Sequence, residues 1–431
     1  MQNVIKRMLA LACAVCACLS TGGCGPQNKE PSAAPQTSSS SPAAPSGSAT
    51  SASSEAAPDY PAAWADGGIF SAEYARSYEM LSRMTLEEKV GQMLLVRCPE
   101  TDGAAVAAEY HLGGYVLFGR DFKDRTREEV IAAIQGYQAD AKIPLAIAVD
   151  EEGGDVVRVS SNGNLAPAPF PAMQDVYRDG GLDGLVADAR EKAALLSGLG
   201  INLNLAPVSD ITENTGAYIY RRTMGASAEE TAAGVRAIVE ATAETPVSGC
   251  LKHFPGYGDN VNTHTGIAVD ERPLESFWEN DFIPIEAGIE AGVECVLVSH
   301  NIMNYVDDEH PASISASVHE LLRGGLGFTG VVMTDDMAMD AISLYGSDPY
   351  LLAVNAGNNF ILPTKPFSQA WRREASRRIR STARFSGFWH GNMRRESSEC
   401  GARIPRCANR RAQALPRARF CRKRLKKAEI L

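Results

Sequence analysis

Beyond its first two dozen residues the chain has no apolar run long enough to cross a bilayer as a helix, a span that takes about 20 residues. No GxGxxG turn follows an apolar run, so a dinucleotide-binding fold has no direct support. The ten cysteines form neither a disulfide framework nor a zinc spacing. Four lie within residues 1–24, and Cys400, Cys407 and Cys421 fall in the C-terminal tail. Cys98, Cys250 and Cys295 sit inside apolar runs, as small buried hydrophobes do. No metal or other cofactor is expected. Basic charge is also scarce across most of the chain. Residues 366–431 hold 16 Arg and 3 Lys against 4 Glu, a net of +15. That leaves 23 basic and 48 acidic residues in the first 365, a net of −25. An acidic body argues against a nucleic-acid partner, which needs a basic face.

What is present starts with an export signal. Lys6 and Arg7 precede an apolar stretch from Met8 to Leu19, too short for a stable span. Leu19-Ser20-Thr21-Gly22-Gly23-Cys24 then resembles a bacterial lipoprotein cleavage site. Residues 1–24 are read as a lipoprotein signal, with Cys24 the lipidated first residue of a protein anchored on the extracytoplasmic face. An ordinary secretory peptide cleaved nearby is the alternative. Residues 25–62 are rich in Ser, Ala and Pro. They cannot bury a core and read as a flexible spacer.

From residue 63 to 365 short apolar runs alternate with amphipathic stretches. The runs are Met93–Cys98, Gly114–Gly119, Pro144–Asp150, Ile201–Pro207, Val247–Phe254, Glu294–His300, Gly330–Asp335 and Asn359–Pro363. Most are near-continuous Val, Ile, Leu and Ala, as strands covered on both faces are. Arg127–Tyr137, Leu182–Leu199, Ala228–Ala243 and Ser276–Ala291 have helical spacing. Strand then helix, eight times over about 300 residues, predicts a (β/α)8 TIM-type barrel forming a single catalytic domain. Five successive strands end in polar residues: Asp150-Glu151-Glu152, Ser209-Asp210, Lys252-His253, Ser299-His300-Asn301 and Thr334-Asp335-Asp336. In a barrel these ends converge on the face where such enzymes keep their chemistry.

Each residue also has a plain structural reading. Asp335 is a candidate helix N-cap, but Asp336 fits that role better for a helix starting near Met337. Asp150 shares the ambiguity, and the glycines after it would let the backbone approach a ligand. Lys252 is either salt-bridged structure or a ligand contact. His253 is either a satisfied core histidine or functional. His264 lies in a Gly/Asn/Thr loop, where histidines are usually just solvated.

The motifs then resemble a family. Glu88-Lys89-Val90-Gly91-Gln92-Met93, Val149-Asp150-Glu151-Glu152-Gly153-Gly154, Ile201-Asn202-Leu203-Asn204-Leu205-Ala206-Pro207, Lys252-His253-Phe254-Pro255-Gly256-Tyr257-Gly258 and Thr334-Asp335-Asp336-Met337-Ala338-Met339 together resemble glycoside hydrolase family 3, in its β-N-acetylhexosaminidase branch. The resemblance covers about residues 76–365. It implies Asp335 as the nucleophile of a retaining exo-β-N-acetylglucosaminidase acting on cell-wall or chitin-type amino-sugar oligosaccharides. It implies Asp150, Arg158, Arg222, Lys252 and His253 as sugar-binding residues. This branch takes its acid/base from a histidine on the loop after the fifth strand, in an Asp-Ser/Thr-His pattern. Here that loop reads Asn262-Thr263-His264, so His264 is the implied acid/base. A monomer is expected.

Two departures stand out. Asn262 replaces the acid that partners the histidine. It can orient the ring but brings no charge to stabilise imidazolium. The Arg-rich tail, residues 366–431, has no sustained apolar stripe where an eighth helix should be. A reading-frame shift between Lys365 and Gln369 would explain it; a basic extension binding anionic polymer or lipid is the alternative. Competing functions follow: a Schiff-base lyase through Lys252, a non-catalytic or weakly active sugar-binding lipoprotein, and a β-glucosidase or phosphorylase variant of the family.

Overall fold

Eight short parallel strands pair in chain order: β1 (Leu95–Arg97), β2 (Gly114–Leu117), β3 (Ala146–Val149), β4 (Leu203–Asn204), β5 (Ser248–Phe254), β6 (Cys295–Val298), β7 (Val331–Asp336) and β8 (Phe360–Leu362). They belong to a computed structural model that describes residues 67–343, 345 and 349–363. The ring closes through a parallel bridge between Leu94 and Ile361, with the Ile361 N–H donating to Met93 O at 2.9 Å. The expected barrel is therefore present, each apolar run supplying one strand. The chain divides into two units, Met1–Ile379 and Arg380–Leu431, and all described residues belong to the first. The expected signal with Cys24, the spacer, the eighth helix and the basic tail lie outside the described residues. No described helix is long and apolar enough to cross a membrane.

The helices form where the sequence placed them. Ala228–Ala243 is helical over that span, and Arg127 begins a helix that runs to Ala139. Both start with a capping box, Ser227 with Glu230 and Thr126 with Glu129, as does Leu86–Gln92 through Thr85 and Glu88. Each such cap contributes about 1 kcal/mol. The Glu88–Met93 motif is structural. A Cβ on Gly91 would meet Tyr110 O at 2.1 Å, and Gln92 Nε2 donates to His111 O and Leu112 O at 2.8 and 3.1 Å.

Strand β4 is shorter than the apolar run that contains it. Pro207 offers no N–H to a ladder. The amides of Asn202 and Asn204 add side-chain bonds to the backbone pairing with β3. Ile147 N–H donates to Asn202 Oδ1 at 2.8 Å, and Glu151 N–H donates to Asn204 Oδ1 at 3.0 Å. A two-stranded ribbon, Val269–Asp270 with Ile302–Met303, joins the loops after β5 and β6. Two-residue strands carry no periodicity by which to foresee them.

Candidate active site

Alternation along β5 turns Leu251 toward the helices and Lys252 toward the barrel mouth. Lys252 is 2% exposed, and its Nζ lies 2.7 Å from Asp150 Oδ1 and 2.5 Å from Glu152 Oε1. Arg222 grips the same Glu152 with both prongs, Nε to Oε2 at 2.9 Å and Nη2 to Oε1 at 2.8 Å. Four charges of alternating sign thus tie the ends of β3 and β5 to the loop after β4. Burial alone would raise the Glu152 carboxyl. Lys252 and Arg222 outweigh it and bring its pKa from 4.5 down to about 2. Burial also works against the Lys252 ammonium, yet Asp150 and Glu152 raise its pKa above the ordinary value. Lys252 is therefore held protonated, and a Schiff-base lyase would lack its free amine.

The Glu152 shift has a consequence for acid stability. The folded pKa lies below the unfolded one, so the stabilisation is complete above pH 4.5 and is lost as pH falls toward 2. Its size is about 3 kcal/mol. Melting temperature measured across that window should fall steeply. The same curve for Glu152→Gln should start lower and slope less.

His253 is fixed by what surrounds it. Arg222 Nη2 lies 3.1 Å from Nε2, and a guanidinium can only donate. Nε2 therefore accepts, and Nδ1 carries the proton that it donates to Asp210 Oδ2 at 2.6 Å. Buried Asp210 also receives the His253 N–H at 3.1 Å and the Tyr257 N–H at 2.7 Å. Glu151 organises the loop after β3 in a similar way. Its carboxylate is wholly buried and accepts the N–H groups of Arg158, Val159 and Ser160, at 2.8, 2.7 and 3.2 Å, and the Ser160 hydroxyl. Arg158 Nε is buried with no hydrogen-bond partner among the described residues. Gly153 and Gly154 do have positive φ, but they serve packing and not ligand approach. Added Cβ atoms there would meet Pro171 O at 2.1 Å and Ala172 Cβ at 2.7 Å.

Asp335 is the penultimate residue of β7 and partly exposed, and its Oδ1 accepts the Asp336 N–H at 2.8 Å. Asp336 takes the capping role, accepting the Ala338 N–H at 2.9 Å. It caps a turn, and the helix begins at Asp340, not near Met337. Burial tends to raise the Asp335 carboxyl, but the nearby His300 imidazole and the Asp336 N–H hold it below its ordinary value. His300 is buried, and burial lowers its pKa. Its Nε2–H donates to Asp336 O at 2.9 Å, and its Nδ1 accepts from the Ser313 hydroxyl at 2.7 Å. That bond steadies the Asp335–Asp336 strand end.

His264 lies exposed on the loop after β5. Asn262 Oδ1 accepts both its N–H at 3.0 Å and its Nδ1–H at 2.8 Å. An amide oxygen can only accept, which assigns the neutral ring's proton to Nδ1 and leaves Nε2 basic. His264 is near enough to Asp335 to help lower its pKa. The mouth thus gathers Asp150, Glu152, Arg222, Lys252 and His253 into one bonded cluster, with Asp335 and His264 close by. Glu151, Glu152 and Tyr257 lie inside the family motifs and Asp210 at a strand end, but the sequence alone singles out none of them for a role. Among the described residues no group of three or more His, Cys, Asp or Glu is placed to hold a metal.

Comparison with known proteins points to one family. The β-hexosaminidase of Xanthomonas campestris pv. campestris (strain B100) is 36% identical over 259 residues, 58% of this chain and 76% of that one. The crystal structure of β-N-acetylhexosaminidase from Beutenbergia cavernae is 30% identical, with a TM-score of 0.59 over 66% of this chain and 88% of that one. A glycoside hydrolase family 3 β-N-acetylglucosaminidase from Paenibacillus sp. str. FPU-7 is 28% identical, with a TM-score of 0.63 over 75% of this chain and 65% of that one. The family profile of the glycosyl hydrolase family 3 N-terminal domain matches residues 85–379. With barrel, motifs and profile in agreement, the chain belongs to glycosyl hydrolase family 3.

Proposed function

We propose that the protein is a retaining exo-β-N-acetylglucosaminidase that removes terminal N-acetylhexosamine from cell-wall or chitin-type oligosaccharides. One observation carries the reading: an ionised carboxylate, Asp335, shares the barrel mouth with a loop imidazole, His264, whose Nδ1 is already engaged by Asn262. Retaining hydrolysis needs such a nucleophile and proton donor. With His264 first protonated at Nε2 as well as Nδ1, Asp335 attacks the anomeric carbon while the glycosidic C–O bond breaks and the imidazolium Nε2–H protonates the departing oxygen, leaving the neutral ring. Water then attacks the glycosyl-Asp335 ester, His264 Nε2 takes its proton, and Asp335 leaves. An imidazole can both give and take a proton near neutral pH, so one side chain can serve both steps. Asp150, Lys252, Arg222, His253 and Arg158 hold the sugar hydroxyls, the free Arg158 Nε supplying one donor. The hexosaminidase relatives support an amino sugar in this place.

Paired aryl substrates test the reading. The N-acetyl-β-glucosaminide should exceed the β-glucoside in kcat/KM by roughly 10²-fold, as a site built to bind the amide would require. Equal rates would overturn the amino-sugar assignment. A glycosyl phosphate formed when phosphate is added would move the second step from water to phosphate. Asn262→Asp should raise activity on poor leaving groups by about tenfold, since a carboxylate stabilises imidazolium by about one pKa unit. An unchanged rate would mean that this position does not limit the enzyme.

The segment around Cys24 supports export and lipid anchoring. Incorporation of labelled fatty acid, abolished by Cys24→Ser, would establish the anchor; unchanged labelling would refute it.

A further inference from the structure

The loop carrying His264 has a buried attachment that the reaction above does not use. Within residues 259–267, Val261, His264, Thr265 and Ile267 are exposed, while Thr263 is fully buried. The Thr263 N–H donates to Tyr257 Oη at 2.8 Å, and the Thr263 hydroxyl lies 2.9 Å from the same oxygen. Tyr257 is itself 2% exposed. Its ring meets His253 edge-on at 5.5 Å between centroids and leans on Tyr218 at 5.6 Å. Burial pushes its phenol up to about 12, so the hydroxyl stays neutral and keeps its proton. The backbone N–H of Tyr257 donates to Asp210, the carboxylate that also sets the His253 tautomer.

We propose that Tyr257 is a positioning residue for acid/base catalysis: its hydroxyl clamps the loop one residue before His264 and ties it, through Asp210, to the sugar-holding cluster. The Asn262 bonds orient the imidazole only within its own loop. The Tyr257 clamp orients that loop against the barrel. With no charged partner at position 262, geometry carries more of the proton-transfer step, and a displacement of about 1 Å can cost on the order of 10²-fold. The proposal rests on His264 being the acid/base.

The test compares kcat/KM of the full chain on two aryl N-acetyl-β-glucosaminides. Dinitrophenolate leaves without a proton, whereas phenolate needs one. His264→Ala should lose on the order of 10²-fold or more on the phenyl substrate and little on the dinitrophenyl one. Tyr257→Phe keeps the ring and deletes the hydroxyl. It should lose at least about tenfold on the phenyl substrate, stay within about twofold on the dinitrophenyl one, and leave inhibition by free N-acetylglucosamine unchanged. Equal losses on both substrates, or none, would overturn the clamp while the His264 result stands. A His264→Ala protein with no leaving-group dependence would instead overturn the acid/base reading, and the clamp with it. If Tyr257→Phe does not fold, Thr263→Val removes the partner hydroxyl and should show the same selectivity at smaller size.

Discussion

Asp335→Gly is expected to lose at least about 10⁴-fold in kcat, about 5 kcal/mol of transition-state stabilisation, with its fold intact. Nothing else at the mouth can replace it. Lys252 is held as an ammonium between Asp150 and Glu152, and Glu152 is held by Lys252 and Arg222. Asp210 is enclosed by His253 and Tyr257. Asp335 accepts from the Asp336 N–H at one oxygen, and its pKa lies below the ordinary value despite burial. The deletion should open space for a small anion. Azide added to Asp335→Gly with an activated β-glycoside should displace the leaving group and yield the α-glycosyl azide. A β-azide, or full residual activity without azide, would mean that another group attacks.

The second large effect concerns stability. Glu152→Gln removes one carboxylate that two buried cations share. Lys252 keeps Asp150, but Arg222 is left without a charged partner beside His253. Breaking a buried ion pair from one side costs about 3–5 kcal/mol. For a barrel of this size that is a large share of the 5–15 kcal/mol that typically separates folded from unfolded states. Denaturant titration of wild type and variant near pH 7 measures it. A change under about 1 kcal/mol would mean that water reaches the cluster and screens it. KM should rise together with the lost stability, because Lys252 and Arg222 would no longer be held in one arrangement.

Much of this was legible in the sequence because barrels make local patterns informative. A strand covered on both faces must be apolar, so eight runs announced eight strands. Polar residues at their ends then had one place to go. Helical spacing placed the Ala228–Ala243 helix, whose start the structure shows held by the Ser227–Glu230 capping box. What stayed hidden depended on partners distant in sequence. Strand β4 is joined to β3 partly by the side chains of Asn202 and Asn204, which no apolar count reveals. The glycines after Asp150 suggested an approach to ligand, yet they face Pro171 and Ala172. The helix after Asp336 begins later than a simple cap predicts, because Asp336 closes a turn first. Tyr257 lies inside a motif that was read for its lysine and histidine. Its own role appears only once Thr263 folds back onto it.

The central claim is that Asp335 forms a covalent bond to the sugar. A 5-fluoro-N-acetylglucosaminyl fluoride tests it most directly: its ring fluorine slows both steps, and its fluoride leaving group restores the first. After brief reaction and proteolysis, mass spectrometry should find one added glycosyl group on the peptide containing Thr334-Asp335-Asp336, located at Asp335 and absent from Asp335→Gly. A sugar adduct on Lys252 or any other residue, or turnover of the reagent with no adduct at all, would contradict the account.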